Sequence, residues 1–408
     1  MISTDYAPNE SLDDAITSLS VLAQPWKWKK GNDTQRVKKS ILTLFKAKGQ
    51  SVHFFLTGRA ALYHYIQQLD LPKGAEVIVP GFTCTAVILP ILANNLKPVY
   101  VDIETQTFSL DPKKIPSALS PQTKVLILQH TFGICPQREE ILKLAYKHNL
   151  TVIEDLAHGF DRKIFLHDSF ETAKLLSFGR SKALSSFFGG ALITPDKDIA
   201  KELETIEKKF PPPSYLFIAR ALLYKPLSLL IKSTYWFGLG KLIHFVLNKT
   251  GFIPREITGN EKTGSYEVKL DKTYPNVFAA VLSTQMKKFR KMQRQRGIIT
   301  KYYNDFFSLS EHAWNLDIEK NAPLTRYPVR VENRTEVLKK LKKQGIYAGQ
   351  WYTQPVAPKG VSLAKMKYYN GTCPVAESVC ASIINLPTLI SKDDAKKIID
   401  FMKKEKLV

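Results

Sequence analysis

The chain has 408 residues, 44% hydrophobic and 24% charged, with no internal repeat or low-complexity tract, which suits one large domain and a smaller one. Its 59 Lys and Arg against 37 Asp and Glu leave a formal charge of +22, favouring an anionic partner such as a nucleotide, a phosphorylated sugar or a membrane surface. Zinc-finger spacing and an aromatic-basic RNA-binding signature are both absent, so nucleic acid is not expected as a partner.

Residues 1–14 are polar and acidic without an apolar core, so neither a signal peptide nor an anchor is expected. Residues 1–50 read as an arm followed by a helix over 34–48, where Val37, Ile41, Leu42, Leu44 and Phe45 fall near helical spacing. The Trp26-Lys27-Trp28-Lys29-Lys30 cluster ahead of that helix suits packing on its own domain or a partner subunit, or a grip on an anion or membrane.

A large domain is expected over 51–209. It opens with a strand at 53–56 and the turn Thr57-Gly58-Arg59 entering a helix. Unpaired amides and the helix dipole make such a turn a phosphate cradle. Strands at 76–80, 98–101 and 124–128, with helices over 112–119 and 138–148, predict a parallel α/β sheet. His130 closes the third of these strands, as an active-site neighbour or a structural donor.

The stretch from 151 to 194 carries the chemistry. The β-branched run Thr151-Val152-Ile153 ends in Glu154-Asp155, at the strand end where open parallel sheets place their ligands. Leu156-Ala157-His158 follows, then a strand over 173–178 containing Ser177, the turn Gly179-Arg180-Ser181-Lys182, and Gly189-Gly190 opening a last strand at 191–194. Lys182 lies 27 residues after Asp155. A Schiff-base cofactor needs a lysine for its aldehyde, an anion to keep its pyridine nitrogen protonated and donors for its phosphate. This segment and the Thr57-Gly58-Arg59 turn offer all three.

The order Glu-Asp-x-Ala-His, Ser-Phe-x-x-x-Lys and Gly-Gly resembles the DegT/DnrJ/EryC1/StrS family, the pyridoxal phosphate-dependent sugar aminotransferases of fold type I. The resemblance implies an α/β fold with a large, mostly parallel sheet domain, a small C-terminal α/β domain, and a homodimer with active sites at the subunit interface. It implies that Lys182 holds pyridoxal 5'-phosphate and serves as general acid and base, and that Asp155 keeps the ring nitrogen protonated. It further implies His158 against the phenolic oxygen, Ala157 on one ring face, and Ser177 with the Gly58 and Arg59 amides on the phosphate.

Three positions depart from the family pattern. Arg59 stands where a Thr is usual, and suits a stronger phosphate contact, a contact with a substrate phosphate, or an exposed place in the first turn. Cys84, within Pro80-Gly81-Phe82-Thr83-Cys84-Thr85-Ala86, takes the place of the stacking aromatic, leaving Phe82 as a substitute or the cofactor face more open. Phe187-Phe188 replace the usual Gly-Glu and suit a more apolar pocket. The implied reaction moves an amino group from an amino acid, in this family most often glutamate, to a keto-sugar whose nucleotide diphosphate the positive field would welcome. Sugar dehydration, a lipid-linked or other non-sugar acceptor, and cofactor binding without turnover are the alternatives.

After a helix over 196–209, residues 208–255 hold no Asp or Glu but eight Lys and Arg. Pro211-Pro212-Pro213 breaks the helix, and the apolar runs beyond it fall far short of the ~20 residues that span a bilayer. Residues 210–265 are expected as an insertion. It serves either as a peripheral membrane contact through 214–249 or as an apolar hairpin over the active site or dimer interface. The resemblance resumes near Tyr274, with a long basic helix, a strand at 327–331, a helix over 335–343 and Ile384-Asn385-Leu386-Pro387, as the long helix and small domain of 266–408. The four cysteines show no metal-ligand spacing, so no metal site and a reducing cytoplasm are expected, in solution or on the inner membrane face.

Overall fold

The computed structural model describes residues 1–166, 168–308, 316 and 318–407. The arm carries the short strand β1 (Ile2–Ser3) and helices α1 (Leu12–Leu22) and α2 (Asp33–Leu44). The helix expected over 34–48 stops at Leu44 because Lys46 turns left-handed, at φ +50°, and the Ala47 amide folds back onto the Leu42 carbonyl at 2.9 Å.

The large α/β part then runs β2 (Ser51–Phe55), α3 (Gly58–Gln68), β3 (Glu76–Pro80), β4 (Thr83–Cys84), α4 (Thr85–Ala93) and β5 (Lys97–Val101). It continues through α5 (Ile115–Ala118), β6 (Thr123–Gln129), α6 (Arg138–Lys147), β7 (Thr151–Asp155), β8 (Ala173–Ser177), β9 (Gly190–Thr194) and α7 (Lys197–Lys209). Seven of these strands form one sheet in the order β2-β9-β8-β7-β6-β3-β5. Only β9 runs against its neighbours, so the sheet is mostly parallel. Its central strands are covered on both faces, which is why Val77-Ile78-Val79 and Val125 to Leu128 are apolar without alternation. The carboxyl ends of β7 and β8 and the start of α3 come together at one edge. Gly190 permits this approach, since a Cβ there would lie 2.3 Å from the Gly58 Cα.

Helices α8 (Tyr215–Thr234) and α9 (Leu239–Lys249) form a tight pair, and a Cβ on Gly240 would lie 2.2 Å from the Ile231 carbonyl oxygen. The buried face of α8, including Ile218, Ala221, Leu222, Tyr224 and Ile231, packs on α1, where the Ser18 hydroxyl donates to the Leu222 carbonyl at 2.7 Å. Among the described residues no helix is long and apolar enough to cross a membrane.

After the single turn α10 (Gly259–Lys262), α11 (Asn276–Phe307) leads into the C-terminal part. That part contains β10 (Arg326–Arg330), α12 (Arg334–Lys343), β11 (Ile346–Tyr347), β12 (Val356–Ala357), α13 (Pro374–Ser382), β13 (Ile383–Pro387) and α14 (Lys392–Lys404). Strands β10 and β13 pair antiparallel, and α14 packs on α11. Two short parallel pairings tie the segments together: β1 joins β11, and β12 lies along β4, placing residues 350–358 beside Cys84.

Candidate active site

Gly58, Arg59, Cys84, Asp155, Ala157, His158, Ser177 and Lys182 line one cavity of about 410 Å³ at the carboxyl edge of the sheet. Thr57 starts α3 as its cap, accepting the Ala60 amide at 3.2 Å, and leaves the first-turn amides of Gly58 and Arg59 without helical acceptors. A Cβ on Gly58 would stand 3.6 Å from the Ser177 Oγ, so the free amides and this hydroxyl share one small cup. That donor set suits a phosphate.

Asp155 ends β7 and is buried; its Oδ1 accepts the Ala157 amide at 2.9 Å. Burial raises its pKa, with the Ala157 amide and the Lys182 and His130 charges opposing, so the carboxylate gains from a cation placed in the cavity. A protonated pyridine nitrogen would be such a cation. His158 is also buried. Burial first, and the Lys182 charge second, hold its pKa well below the usual imidazole value, so it is neutral. Its Nδ1 accepts the Phe132 amide at 3.5 Å, leaving Nε2 to donate to the Tyr352 oxygen at 2.5 Å. Burial pushes the Tyr352 hydroxyl well above its ordinary pKa, and that of the Cys84 thiol is raised by the same cause.

Lys182 reaches the cavity with its Nζ 4.7 Å from the centre of the Trp351 ring. Its loop is held from behind by the arm. Asn9 donates to the Lys182 and Ala183 carbonyls, and Arg296 donates to the Asn9 Oδ1 at 2.7 Å. One residue along, Glu10 accepts from Ser185 at 3.2 Å and pairs with Lys225 of α8 at 2.5 Å, while Lys225 also donates to the Ser185 carbonyl.

Several sequence expectations change in detail. The Arg59 guanidinium turns from the cup to pair with Glu261, at 2.6 Å but off hydrogen-bond alignment, and donates to the Glu256 carbonyl at 2.7 Å. Glu261 is fully buried and needs that counter-charge. Phe82 does not reach the cavity; it is buried among Phe108, Phe132 and Tyr352. The aromatic surface near Cys84 comes instead from Trp351 and Tyr352, stacked with ring centres 5.4 Å apart, with Arg326 laid over Trp351 at 3.5 Å. His130 points away, bonding Glu154 at 2.8 Å. Phe187 and Phe188 do line the cavity, and their outer sides meet Tyr224 and Phe217 of α8. Glu256, whose carboxylate accepts the Arg180 amide at 2.9 Å, closes the same wall. No local signal marked Trp351, Tyr352, Asn9 or Glu256, because long-range pairing alone brings them here.

The profile of the DegT/DnrJ/EryC1/StrS aminotransferase family matches residues 13–210 and 246–403, leaving out all of α8 and the first part of α9. L-glutamine:2-deoxy-scyllo-inosose aminotransferase of Streptomyces lividus is 33% identical over 150 residues, 36% of this chain and 35% of that protein. UDP-2-acetamido-2-deoxy-3-oxo-D-glucuronate aminotransferase of Pseudomonas aeruginosa is 35% identical over 154 residues, 37% of this chain and 43% of the relative. In both, the aligned stretch spans less than half of the curated relative. A pleiotropic regulatory protein of Geobacillus stearothermophilus aligns more fully, at 27% identity over 81% of this chain and 77% of its own length. Among solved structures, a DegT DnrJ EryC1 StrS aminotransferase from Brucella abortus superposes with a TM-score of 0.72 at 18% identity, over 96% of this chain and 95% of that one. The mostly parallel sheet with its smaller C-terminal α/β part is therefore the fold type I architecture. The chain belongs to the DegT/DnrJ/EryC1/StrS aminotransferase family.

Proposed function

We propose that the chain is a pyridoxal phosphate-dependent aminotransferase that moves an amino group from an amino acid to a keto-sugar. The donor is glutamate, or the glutamine named for one relative, and the acceptor is nucleotide-linked, as in the name of another. The observation that carries this reading is the meeting of Lys182, Asp155 and the free amides of α3 around one cavity. When bound there, the cofactor supplies an electron sink for the carbon that gives up its proton. The chain's own residues do the rest. Lys182 Nζ would take the proton from the donor's α-carbon and give it back, acting as general base and then general acid. Asp155 would balance the positive charge of the ring nitrogen, and neutral His158, fixed by Phe132 and Tyr352, faces the cavity without adding charge. The Gly58 and Arg59 amides and Ser177 hold the phosphate. Trp351, Phe187 and Phe188 exclude water from the reacting carbon.

The enzyme works in the cytoplasm as a homodimer. An exposed apolar stripe on α1, formed by Leu12, Ile16 and Leu19 at helical spacing, supports that assembly. The 214–249 segment brings it to a membrane surface.

Borohydride reduction followed by peptide mapping should place the cofactor on Lys182. With glutamate or glutamine and a panel of nucleotide keto-sugars, the enzyme should produce the corresponding oxo acid, and Lys182→Ala should abolish that turnover. An adduct on another lysine, or unchanged turnover in Lys182→Ala, overturns the reading.

A further inference from the structure

Helix α9 has two faces with different surroundings. Inward, Gly240 abuts α8, Leu247 packs on the core, and the His244 ring meets Tyr6 edge-on at 5.0 Å. Outward, Leu239, Leu242, Phe245 and Val246 fall on one arc and stay exposed, Leu242 at 59% and Phe245 at 60%. The turn before it adds Trp236 and Phe237, the latter 88% exposed. Six large apolar side chains in one patch differ from the scattered single residues of an ordinary surface. The patch is also held firmly. The Trp236 ring lies against Gly345, where a Cβ would come within 2.3 Å of it, and Tyr235 meets Tyr347 edge-on at 5.5 Å.

Charge decides what covers it. Lys241 and Lys249, both exposed, border the arc, and no Asp or Glu occurs anywhere in 208–255. A second copy meeting this face about a two-fold axis would set those lysines against their own counterparts with no carboxylate between them. An acidic lipid surface suits both features. The apolar side chains enter the boundary of the acyl region, and the lysines reach out to the headgroup phosphates. The other three cations between 214 and 249 are engaged by the rest of the fold. Lys225 pairs with Glu10, Lys232 donates to the Ala7 carbonyl, and Arg220 donates to the Phe252 and Gly251 carbonyls.

We propose that α9 and the Trp236-Phe237 turn form a docking face for an anionic lipid bilayer, with the helix lying in the plane of the interface. This narrows the proposed membrane contact from the whole 214–249 segment to its outer half, and it is independent of the chemistry at Lys182.

The full-length, cofactor-loaded protein should float with vesicles of phosphatidylcholine mixed with phosphatidylglycerol, and much less with phosphatidylcholine alone. Binding should weaken as salt rises. Leu242→Ser with Phe245→Ser, and separately Lys241→Glu with Lys249→Glu, should each cut the bound fraction about tenfold while the cofactor absorbance and turnover stay unchanged. Three results overturn the proposal: no flotation of the parent protein, equal binding to neutral vesicles, or variants that bind normally. A shift of either variant from dimer to monomer in sedimentation would assign the face to a second copy instead. Vesicle binding in a protein that fails to transaminate would strike the transamination reading alone.

Discussion

The two neighbouring acids at the end of β7 have opposite electrostatic roles. Asp155 has its pKa raised by burial and, among the described residues, has no cationic partner within hydrogen-bond reach, so it is poised to receive one. Asp155→Asn should keep bound cofactor yet lose turnover on the order of a hundredfold or more, because a neutral amide no longer holds the ring proton. Single-turnover absorbance together with cofactor content separates the two effects, and near-normal rates would contradict the assignment. Glu154 already has its partners: Arg138 at 2.6 and 2.8 Å, His130 at 2.8 Å, and the Thr172 hydroxyl. Burial alone would push its pKa up, but Arg138 and His130 outweigh burial and hold it well below the carboxylate range. A depressed carboxylate contributes stability that is present above its unfolded pKa, about 4.3, and is lost as pH falls toward the folded value. The Tm gap between the parent protein and Glu154→Gln should therefore be widest near neutrality and shrink steadily below about pH 4. A gap that does not change with pH would show that Glu154 stabilises by packing alone.

At the scale of elements, the strands around the site were legible because fully buried parallel strands are short, β-branched and closed by turn residues. The runs at 76–80 and 151–155 match β3 and β7 end to end. Residues whose partners lie far along the chain were not legible. Trp351 and Tyr352 reach the cavity only because β12 pairs with β4, and nothing in their own neighbourhood encodes that register. The α8–α9 pair was equally opaque, since helices apolar on more than one side give no clear periodic signal. Contacts resolve it: α8 backs the Phe187-Phe188 wall of the site and α9 faces outward. The Lys225–Glu10 pair joins α8 to the arm and the lysine loop, both side chains almost wholly buried. Lys225→Met leaves a carboxylate unpaired in the interior and should cost about 3–5 kcal/mol in urea unfolding. Adding Glu10→Met should recover most of that loss. A single variant as stable as the parent would show that the pair is not a support.

For the whole molecule, the +22 charge is distributed unevenly in its consequences, because several of the cations counted in the sequence serve internal carboxylates and carbonyls. Those that remain outside set what the surface can meet. The α1 stripe is bordered by Asp13, whereas α9 carries two exposed lysines and no acid, so the two apolar surfaces suit different company. In a two-fold dimer each substitution acts twice. Ile16→Glu should therefore raise the dimer dissociation constant at least roughly tenfold, read by sedimentation at several concentrations. An unchanged constant would move the dimer contact to another face.

The parallel pairing of β1 with β11 has a consequence for biosynthesis. Ile2 waits for Ile346, and the Asn9 that steadies the Lys182 loop waits for Arg296. These arm residues leave the ribosome well before the partners that fix them, so they are among the last to find their places. The seven-stranded sheet can close while the arm is still loose. Lys182 is therefore set in two stages, first by the strands on either side of it and only later by a tether that emerged before them all.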